Sequence, residues 1–148
     1  IYFILLSTII FFLDRISKIK IINNFNENIY VINDFINLNL IWNTGVGFGL
    51  LNFNSTLFYN LVTALVGLII TILLFISIKL ARIDKIIFSM IIGGALGNLY
   101  DRLTFKAVPD FIDFHYENFH WFTFNVADIF ISFGVICYLI RGLLLKKN

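Results

Sequence analysis

Residues 57–78 read LFYNLVTALVGLIITILLFISI and contain no charged side chain. The hydrocarbon core of a bilayer is about 30 Å thick and an α-helix rises about 1.5 Å per residue, so about 20 apolar residues cross it. The stretch therefore predicts a transmembrane helix, and it decides the class of fold.

The composition of the whole chain agrees with that prediction. Of its 148 residues, 59% are hydrophobic and 14% are charged, and the mean hydropathy is +0.91. Soluble domains carry about 25% charged residues, so the chain is interpreted as an integral membrane protein. A net charge of +2, with no basic run longer than Lys146-Lys147, argues against a nucleic-acid partner. The single Cys137 excludes an internal disulfide and any multi-cysteine metal site.

Three further segments are long enough to span a membrane. The four predicted helices cover about residues 1–22, 57–78, 86–103 and 125–145, and the predicted outer loops cover about 23–56 and 104–124. We expect a few residues to precede Ile1. We interpret the first apolar run as a retained helix, because no small-x-small cleavage site follows it. One membrane domain covering residues 1–148 is predicted.

The distribution of charge predicts the orientation. One side of the four-helix arrangement carries Asp84 as its lone acid and most of the cations: Lys79, Arg82, Lys85, Arg141, Lys146 and Lys147. By the positive-inside rule this side, with both termini, is cytoplasmic. The other eight of the nine acids belong to the outer side, so we expect any carboxylate chemistry at the outer face.

The two outer loops differ in pattern. Residues 30–40 alternate with strand-like period two, which predicts a small β-sheet between the first and second helices. Gly45, Gly47 and Gly49 then interrupt the pattern and indicate a bend or a close backbone approach. The second loop is rich in aromatic residues, of which Tyr116 and Trp121 suit an interfacial belt. The fold class is thus an all-α membrane protein with a small extracytoplasmic sheet as a cradle.

Two helices carry polar groups that demand partners within the membrane zone. Asp14 and Lys18 lie four residues apart, which predicts a shared helix face and an ion pair. On the third helix, one turn presents Asn98, Asp101 and Arg102. Asp14 and Lys18 are explained first as a structural ion pair and second as support for a site or a substrate, whereas the group on the third helix is explained equally by a structural network and by support for a reactive site. Gly93 and Gly97, in the same helix, form a G-x-x-x-G pattern that permits close helix packing.

Asp128 admits two explanations. In the first, Asn125 is the N-cap of the fourth helix, and the Asp128 carboxylate in its first turn favours the helix dipole. In the second, Asp128 and Asp110 form a pair of carboxylates that share one proton at a partly desolvated membrane edge. The ionised member takes a proton from water as it attacks an amide carbonyl, while the protonated member hydrogen-bonds the carbonyl oxygen.

Other chemistries fit the residues less well. An oxygen and nitrogen metal site has the candidate ligands Asp110, Asp113, His115, His120 and Asp128, but lacks a H-E-x-x-H spacing. Adjacent Ser17 and Lys18 point apart on a helix, which argues against a serine-lysine nucleophile. A small proton-coupled carrier is the alternative from another functional class. A relay requires acids throughout the membrane depth, whereas these acids are grouped on one side.

Five motifs follow one another through nearly the whole chain. They are LDRISK (13–18), NTGVGFG (43–49), GGALGNLYDR (93–102), VPDF (108–111) and FNVAD (124–128). In this order, on a four-span chain of this length, they resemble the lipoprotein signal peptidases (signal peptidase II). That resemblance implies a metal-independent aspartyl endopeptidase of the bacterial cytoplasmic membrane. Its substrate would be a prolipoprotein, cleaved just before a diacylglyceryl-modified cysteine.

The resemblance also implies roles for single residues, with no metal and no cofactor. The catalytic pair would be Asp110 and Asp128. The supporting residues would be Asp14, Lys18, Asn43, Gly45, Asn98, Asp101, Arg102 and Asn125. Membrane lipids are expected partners, the protein is expected to be a monomer, and Asp113 lies outside the motif.

The sequence departs from the family pattern at two positions. Gly47 replaces a common alanine, and Pro109 replaces a common valine and removes a backbone donor beside Asp110. We further expect the loop with Gly45, Gly47 and Gly49, next to Trp42 and Phe48, to close over the substrate.

Overall fold

The computed structural model describes residues 2–24, 29–45 and 56–145. The elements of these ranges are, in chain order, α1 (Tyr2–Asn24), β1 (Tyr30–Asn33), β2 (Ile36–Asn43), α2 (Thr56–Lys79), α3 (Arg82–Phe105), β3 (Val108–Tyr116), β4 (Phe119–Phe124) and α4 (Val126–Leu145). A helix occupies each of the four predicted segments. Gly47, Phe48 and Gly49 of the predicted closing loop lie outside the described residues.

The start of α3 differs from the prediction, because the helix begins at Arg82 rather than at 86. The extra turn contains the charged residues that hydropathy excludes from a span. Asp84 lies in this first turn, where a carboxylate is favoured by the helix dipole. It also accepts a hydrogen bond of 2.6 Å from Arg141 Nε of α4. The ion pair joins α3 and α4 at the end of the bundle opposite the sheet.

Helix α3 lies at the centre of the bundle and contacts α1, α2 and α4. Its glycines permit this arrangement. A Cβ added to Gly93 would lie 2.7 Å from the Ser7 carbonyl oxygen of α1, and one added to Gly94 would lie 2.5 Å from the Ala127 carbonyl oxygen of α4. The predicted close packing of helices at the glycine motif is confirmed.

Three helices of the described residues, α2, α3 and α4, are long and apolar enough to cross a membrane. Helix α1 fails that criterion because four charged residues lie in its second half. Two of them, Asp14 and Lys18, are completely buried inside the protein. The surface of α1 is instead formed by apolar side chains such as Ile9, Phe12 and Ile16.

The sheet corrects the prediction of its position. Four antiparallel strands follow the order β1-β2-β3-β4, so the two outer segments contribute a hairpin each. The predicted strands between the first two helices are present as β1 and β2, and the structure corrects the extent of the sheet, which continues into the second outer segment. The aromatic residues of 104–124 have high β-propensity, and an isolated two-stranded hairpin is only marginally stable. Pro109 is tolerated at the second position of β3, close to the strand end.

The connection from α3 to the sheet places the first acid of β3. Lys106 ends α3 in the left-handed conformation, with φ of 58°, and the chain enters β3 at Val108. Asp110 then lies opposite Ile41 of β2. On the other side of the hairpin, β4 leads directly into α4. The β3–β4 hairpin thus connects the ends of two helices that pack against each other.

Candidate active site

Asp110 and Asp128 line the same cavity, of about 190 Å³, although they come from a strand and a helix. Asp110 is 3% exposed. The other residues that line the cavity are Asn43, Asn98, Arg102, Val108, Ile131 and Ser132. The cavity lies where the sheet meets α3 and α4, which brings together residues from four of the five sequence motifs.

Asp128 belongs to the cap of α4. The Asn125 side-chain oxygen accepts a hydrogen bond of 3.1 Å from the Asp128 backbone N–H, and Asp128 Oδ2 accepts one of 3.2 Å from the Asn125 backbone N–H. This is a reciprocal capping box, and it confirms the predicted N-cap. The cap fixes the Asp128 carboxylate at the end of the helix that faces the cavity.

Asp110 accepts a hydrogen bond at each carboxylate oxygen. Asn125 Nδ2 lies 2.6 Å from Oδ1, and Asn43 Nδ2 lies 2.8 Å from Oδ2. Asn125 therefore contacts both acids, the first through its amide nitrogen and the second through the cap.

Three asparagine side chains share one arrangement around these acids. In each, the side-chain oxygen accepts a bond from a group that can only donate, so the amide nitrogen must face a carboxylate. For Asn43 the donor is the Gly45 backbone N–H at 2.8 Å, and for Asn98 it is Lys18 Nζ at 2.9 Å. For Asn125 it is the Asp128 backbone N–H. The amide of Asn98 then donates to Asp128 Oδ1 at 2.8 Å.

The pKa of Asp110 is raised to about 6, chiefly by burial and next by the charge of the neighbouring Asp128 carboxylate. The bonds from Asn43 and Asn125 oppose this shift because they stabilise the ionised form. Asp110 is therefore able to hold a proton close to neutral pH.

A second, fully buried group of charges lies behind the cavity. Lys18 Nζ donates to Asp14 Oδ2 at 2.8 Å and to Asp101 Oδ2 at 2.7 Å, and Arg15 pairs with the other oxygen of Asp101. The predicted ion pair of Asp14 and Lys18 is confirmed. Two acids balance two cations, which removes most of the cost of an isolated buried charge.

The buried charges are joined to α4 at two points. Asn98 connects Lys18 to Asp128, and Asp14 Oδ1 accepts a bond of 2.9 Å from the Ala127 backbone N–H. Gly97 provides the room for Asp14, because a Cβ there would collide with the Asp14 carboxylate. Charges on α1 and α3 thereby hold the first turn of α4 in place.

Arg102 approaches the cavity from α3. Its guanidinium donates to the Gly45 carbonyl oxygen and lies 5.6 Å above the Tyr59 ring. Its Nη1 atom is buried and has no hydrogen-bond partner among the residues that the structure describes. Arg102 thus has an unused donor at a cavity lined by carboxylates.

Known protein families provide an independent comparison. Residues 6–144 match the family described as Signal peptidase (SPase) II. The chain belongs to the signal peptidase II family. Together with its apolar helices, this membership makes it a protease and a multi-pass protein of the bacterial inner membrane.

Curated relatives support the signal peptidase II assignment. A lipoprotein signal peptidase of Pelagibacter ubique (strain HTCC1062) is 45% identical over 144 residues, which are 95% of this chain and 86% of the relative. One of Anaplasma marginale (strain Florida) is 40% identical over 134 residues, covering 88% of this chain and 78% of the relative. A solved bacterial membrane enzyme is similar in structure, with a TM-score of 0.81 and 28% identity over 99% of this chain and 90% of that one.

The structure divides the five residues of the alternative metal site into two groups. Asp110 and Asp128 line the cavity, whereas Asp113, His115 and His120 form a separate cluster. Strand alternation places Asp113 and His115 on the face of β3 opposite Asp110. A single metal centre built from all five residues was therefore a wrong hypothesis, and no finding supports the carrier.

Two contributors were not singled out from the sequence. Arg15 neutralises Asp101, and Tyr59 lies beneath Arg102. Arg15 carried a weak signal, since a second cation was needed to balance two acids on buried faces. Tyr59 carried none, because its contact depends on how α2 packs against α3.

Proposed function

We propose that this signal peptidase II family member is an aspartyl endopeptidase that removes the signal peptide of bacterial prolipoproteins. It would cleave before the diacylglyceryl-modified cysteine, with Asp110 and Asp128 as the catalytic pair. One observation carries the proposal: a buried carboxylate and a partly buried one line the same cavity, and each is held by amide donors rather than by a cation.

The shared cavity gives the pair complementary protonation states. The raised pKa of Asp110 supports its role as the member that carries the proton. Asp128 lies in the first turn of α4, where the helix dipole and the Asn98 amide favour the ionised carboxylate. The titration belongs to the pair, since the charge of Asp128 acts on Asp110.

These states support hydrolysis of the amide bond by an activated water. Asp128 takes a proton from the water molecule while the water oxygen attacks the scissile carbonyl carbon. Asp110 donates a hydrogen bond to the carbonyl oxygen. Collapse of the tetrahedral intermediate breaks the C–N bond, and Asp128 returns the proton to the leaving amine. The pair ends with one proton, as it began.

The buried charges serve as positioning groups for this chemistry. Lys18 orients Asn98, and Asn98 holds Asp128. Asp14 and Asp101 offset the positive charges of Lys18 and Arg15, which weakens the pull of Lys18 on the proton of the pair. Arg102 supplies Nη1, which has no partner among the described residues, to a carbonyl oxygen of the bound substrate, and Asn43 and Gly45 hold the edge of the cavity.

All four helices cross the membrane in this proposal. Three of the four charged residues of α1, Asp14, Arg15 and Lys18, face the protein interior, and apolar side chains cover most of its surface, whereas Lys20 is exposed near the end of the helix. The cations at the α2–α3 connection place that end in the cytoplasm, together with both termini. The cavity then lies at the outer face of the cytoplasmic membrane, where a lipid-anchored cysteine holds the scissile bond.

The aromatic side chains of the β3–β4 hairpin fit the same position. Tyr116, Phe119 and Trp121 are each about 60% exposed, at 58%, 62% and 58%. Aromatic rings of this kind are enriched at the level of lipid headgroups. They would hold the sheet against the membrane beside the cavity.

Purified protein incubated with a diacylglyceryl-modified prolipoprotein tests the assignment. Asp110→Asn and Asp128→Asn should each abolish cleavage, because either change removes one role of the pair. Asp34→Asn, in the exposed β1–β2 turn, is the matched control and should cleave like the wild type. Cleavage that persists in either cavity variant would refute the catalytic pair. Loss of wild-type cleavage after chelation, in protein that thermal unfolding shows to be still folded, would instead indicate a metal-dependent mechanism.

A further inference from the structure

A compact cluster of metal-binding side chains lies outside the cavity. Asp113 and His115 are two residues apart in β3, and His120 of β4 lies opposite His115. One ligand atom from each residue falls within 4.8 Å of the others. The two imidazole rings are stacked with centroids 5.3 Å apart, and His120 Nδ1 lies 2.7 Å from Asp113 Oδ2.

Two buried atoms beside this cluster have no partner among the described residues: His115 Nδ1 and Asn37 Oδ1. His115 and Asn37 are 9% and 7% exposed. Asn37 lies opposite Asp113 in β2, so its side chain shares the face of the cluster. Asn37 and His115 line the same further cavity. An amide oxygen accepts, and an imidazole nitrogen that carries no hydrogen is a metal ligand, so both unpartnered atoms suit a bound cation.

We propose that Asp113, His115 and His120 bind a divalent transition metal ion of the zinc class. The structure provides two imidazole nitrogens and one carboxylate oxygen, a set that suits Zn²⁺ better than Mg²⁺ or Ca²⁺, which prefer oxygen ligands. The Asn37 oxygen, directly or through a bound water, completes the coordination. This site is independent of the catalytic pair, which faces the opposite side of β3.

The distances require only a local adjustment. Ligand atoms about 2.0–2.2 Å from a tetrahedral Zn²⁺ are about 3.4 Å from one another. The His120 side chain is 54% exposed and is free to turn toward the other two. Asp113 and His115 are buried and lie on the same face of β3, so two of the ligands are already in position. Only His120 must turn to complete the site.

The position of the site suggests what the metal would do. It joins β3 to β4 beside the register shift between Phe114 and His115, where the ladder of the hairpin is interrupted. Bonds to the metal would replace the support that the ladder loses there. The metal is therefore structural, and its binding should stabilise the folded protein.

Titration of Zn²⁺ into purified protein tests the site by isothermal calorimetry, with a purification tag that contains no histidine and after removal of metal by EDTA. We expect one equivalent to bind to the wild type and to raise its unfolding temperature. His120→Ala should weaken binding by more than about tenfold and lose the thermal shift, since loss of an outer-shell partner alone costs 10–100-fold. Because His120 is largely exposed, this variant should still fold.

Two further variants complete the test. Asp113→Asn removes a second ligand and should also weaken binding. Asn60→Ala removes an exposed amide of α2, outside the sheet, and should bind Zn²⁺ as the wild type does. The proposal is overturned if the wild type binds no Zn²⁺, or if His120→Ala and Asp113→Asn bind it with unchanged affinity.

Discussion

Asp110 is the residue whose surroundings bear most directly on the proposed chemistry. It is buried, faces Asp128 across a small cavity, and accepts two amide hydrogen bonds. The first two features favour its protonated form and the last favours its ionised form. Their balance, a pKa of about 6, sets the pH at which the pair changes state.

The pH dependence of kcat/KM follows from this value. An acid with a raised pKa keeps its proton below that pKa and loses it as the pH rises, so the active one-proton state should be depleted above about pH 6. Asn43→Ala removes a bond that stabilises ionised Asp110, and should therefore move the alkaline limb to higher pH. A pH profile of cleavage for both proteins measures the shift. An unmoved limb would contradict this account of Asp110.

Asn98 should act on the rate and not on substrate affinity. Asn98→Ala removes the hydrogen bond to Asp128, and a bond to a charged group is worth about 1.5–3 kcal/mol, or about 10–100-fold in rate. We expect kcat to fall by this factor with little change in KM. The same substitution at exposed Asn60 of α2 is the control and should leave both constants unchanged. A rise in KM alone would indicate a role in binding.

At the scale of elements, the packing of α3 against α4 decides where Asp128 lies. Gly94 approaches the Ala127 carbonyl oxygen so closely that any side chain must displace the first turn of α4. That turn contains Asp128 and follows Asn125. The glycines of α3 therefore matter for the site as well as for stability.

Gly94→Ala should destabilise the protein and reduce its activity together. Overpacking of this kind costs about 1–3 kcal/mol, and the displaced turn should weaken the bonds of Asp128. Thermal unfolding in detergent and cleavage assays measure the two effects. Gly67→Ala in α2 is the matched control, since nothing lies within 4 Å of its added Cβ. Equal behaviour of the two variants would show that the α3–α4 contact is not restrictive.

At the scale of the whole molecule, four helices and one sheet create an asymmetric protein. The cavity lies at the sheet end, and the Asp84–Arg141 ion pair lies at the other end. The proposed orientation places the sheet outside the cell and the α2–α3 connection in the cytoplasm.

Cysteine labelling in whole cells tests this orientation. In a Cys137→Ala background, which lacks the native thiol, Asp34→Cys in the β1–β2 turn should react with a membrane-impermeant maleimide in spheroplasts. Leu80→Cys, between α2 and α3, should react only after lysis. The reverse pattern would place the cavity in the cytoplasm and contradict the positive-inside assignment.

The sequence by itself determined what depends on local spacing. Uncharged runs revealed the helices, a separation of four residues predicted the ion pair of Asp14 and Lys18, and a separation of three predicted the cap of Asn125 and Asp128. Each of these contacts is confirmed because it lies within one or two turns of a helix. The second hairpin was missed because its aromatic residues suit both a strand and a membrane interface.

Only the tertiary structure decided which distant groups meet. Strand pairing and the turn at Lys106 bring Asp110 within hydrogen-bond distance of Asn125 and Asn43. The contact of α1 with α3 brings Lys18 to Asp101. The same pairing separates Asp113, His115 and His120 from the cavity. Such contacts depend on the register of the sheet and on how the helices cross. The spacing of residues in the sequence does not specify either, because one local sequence is compatible with many distant pairings.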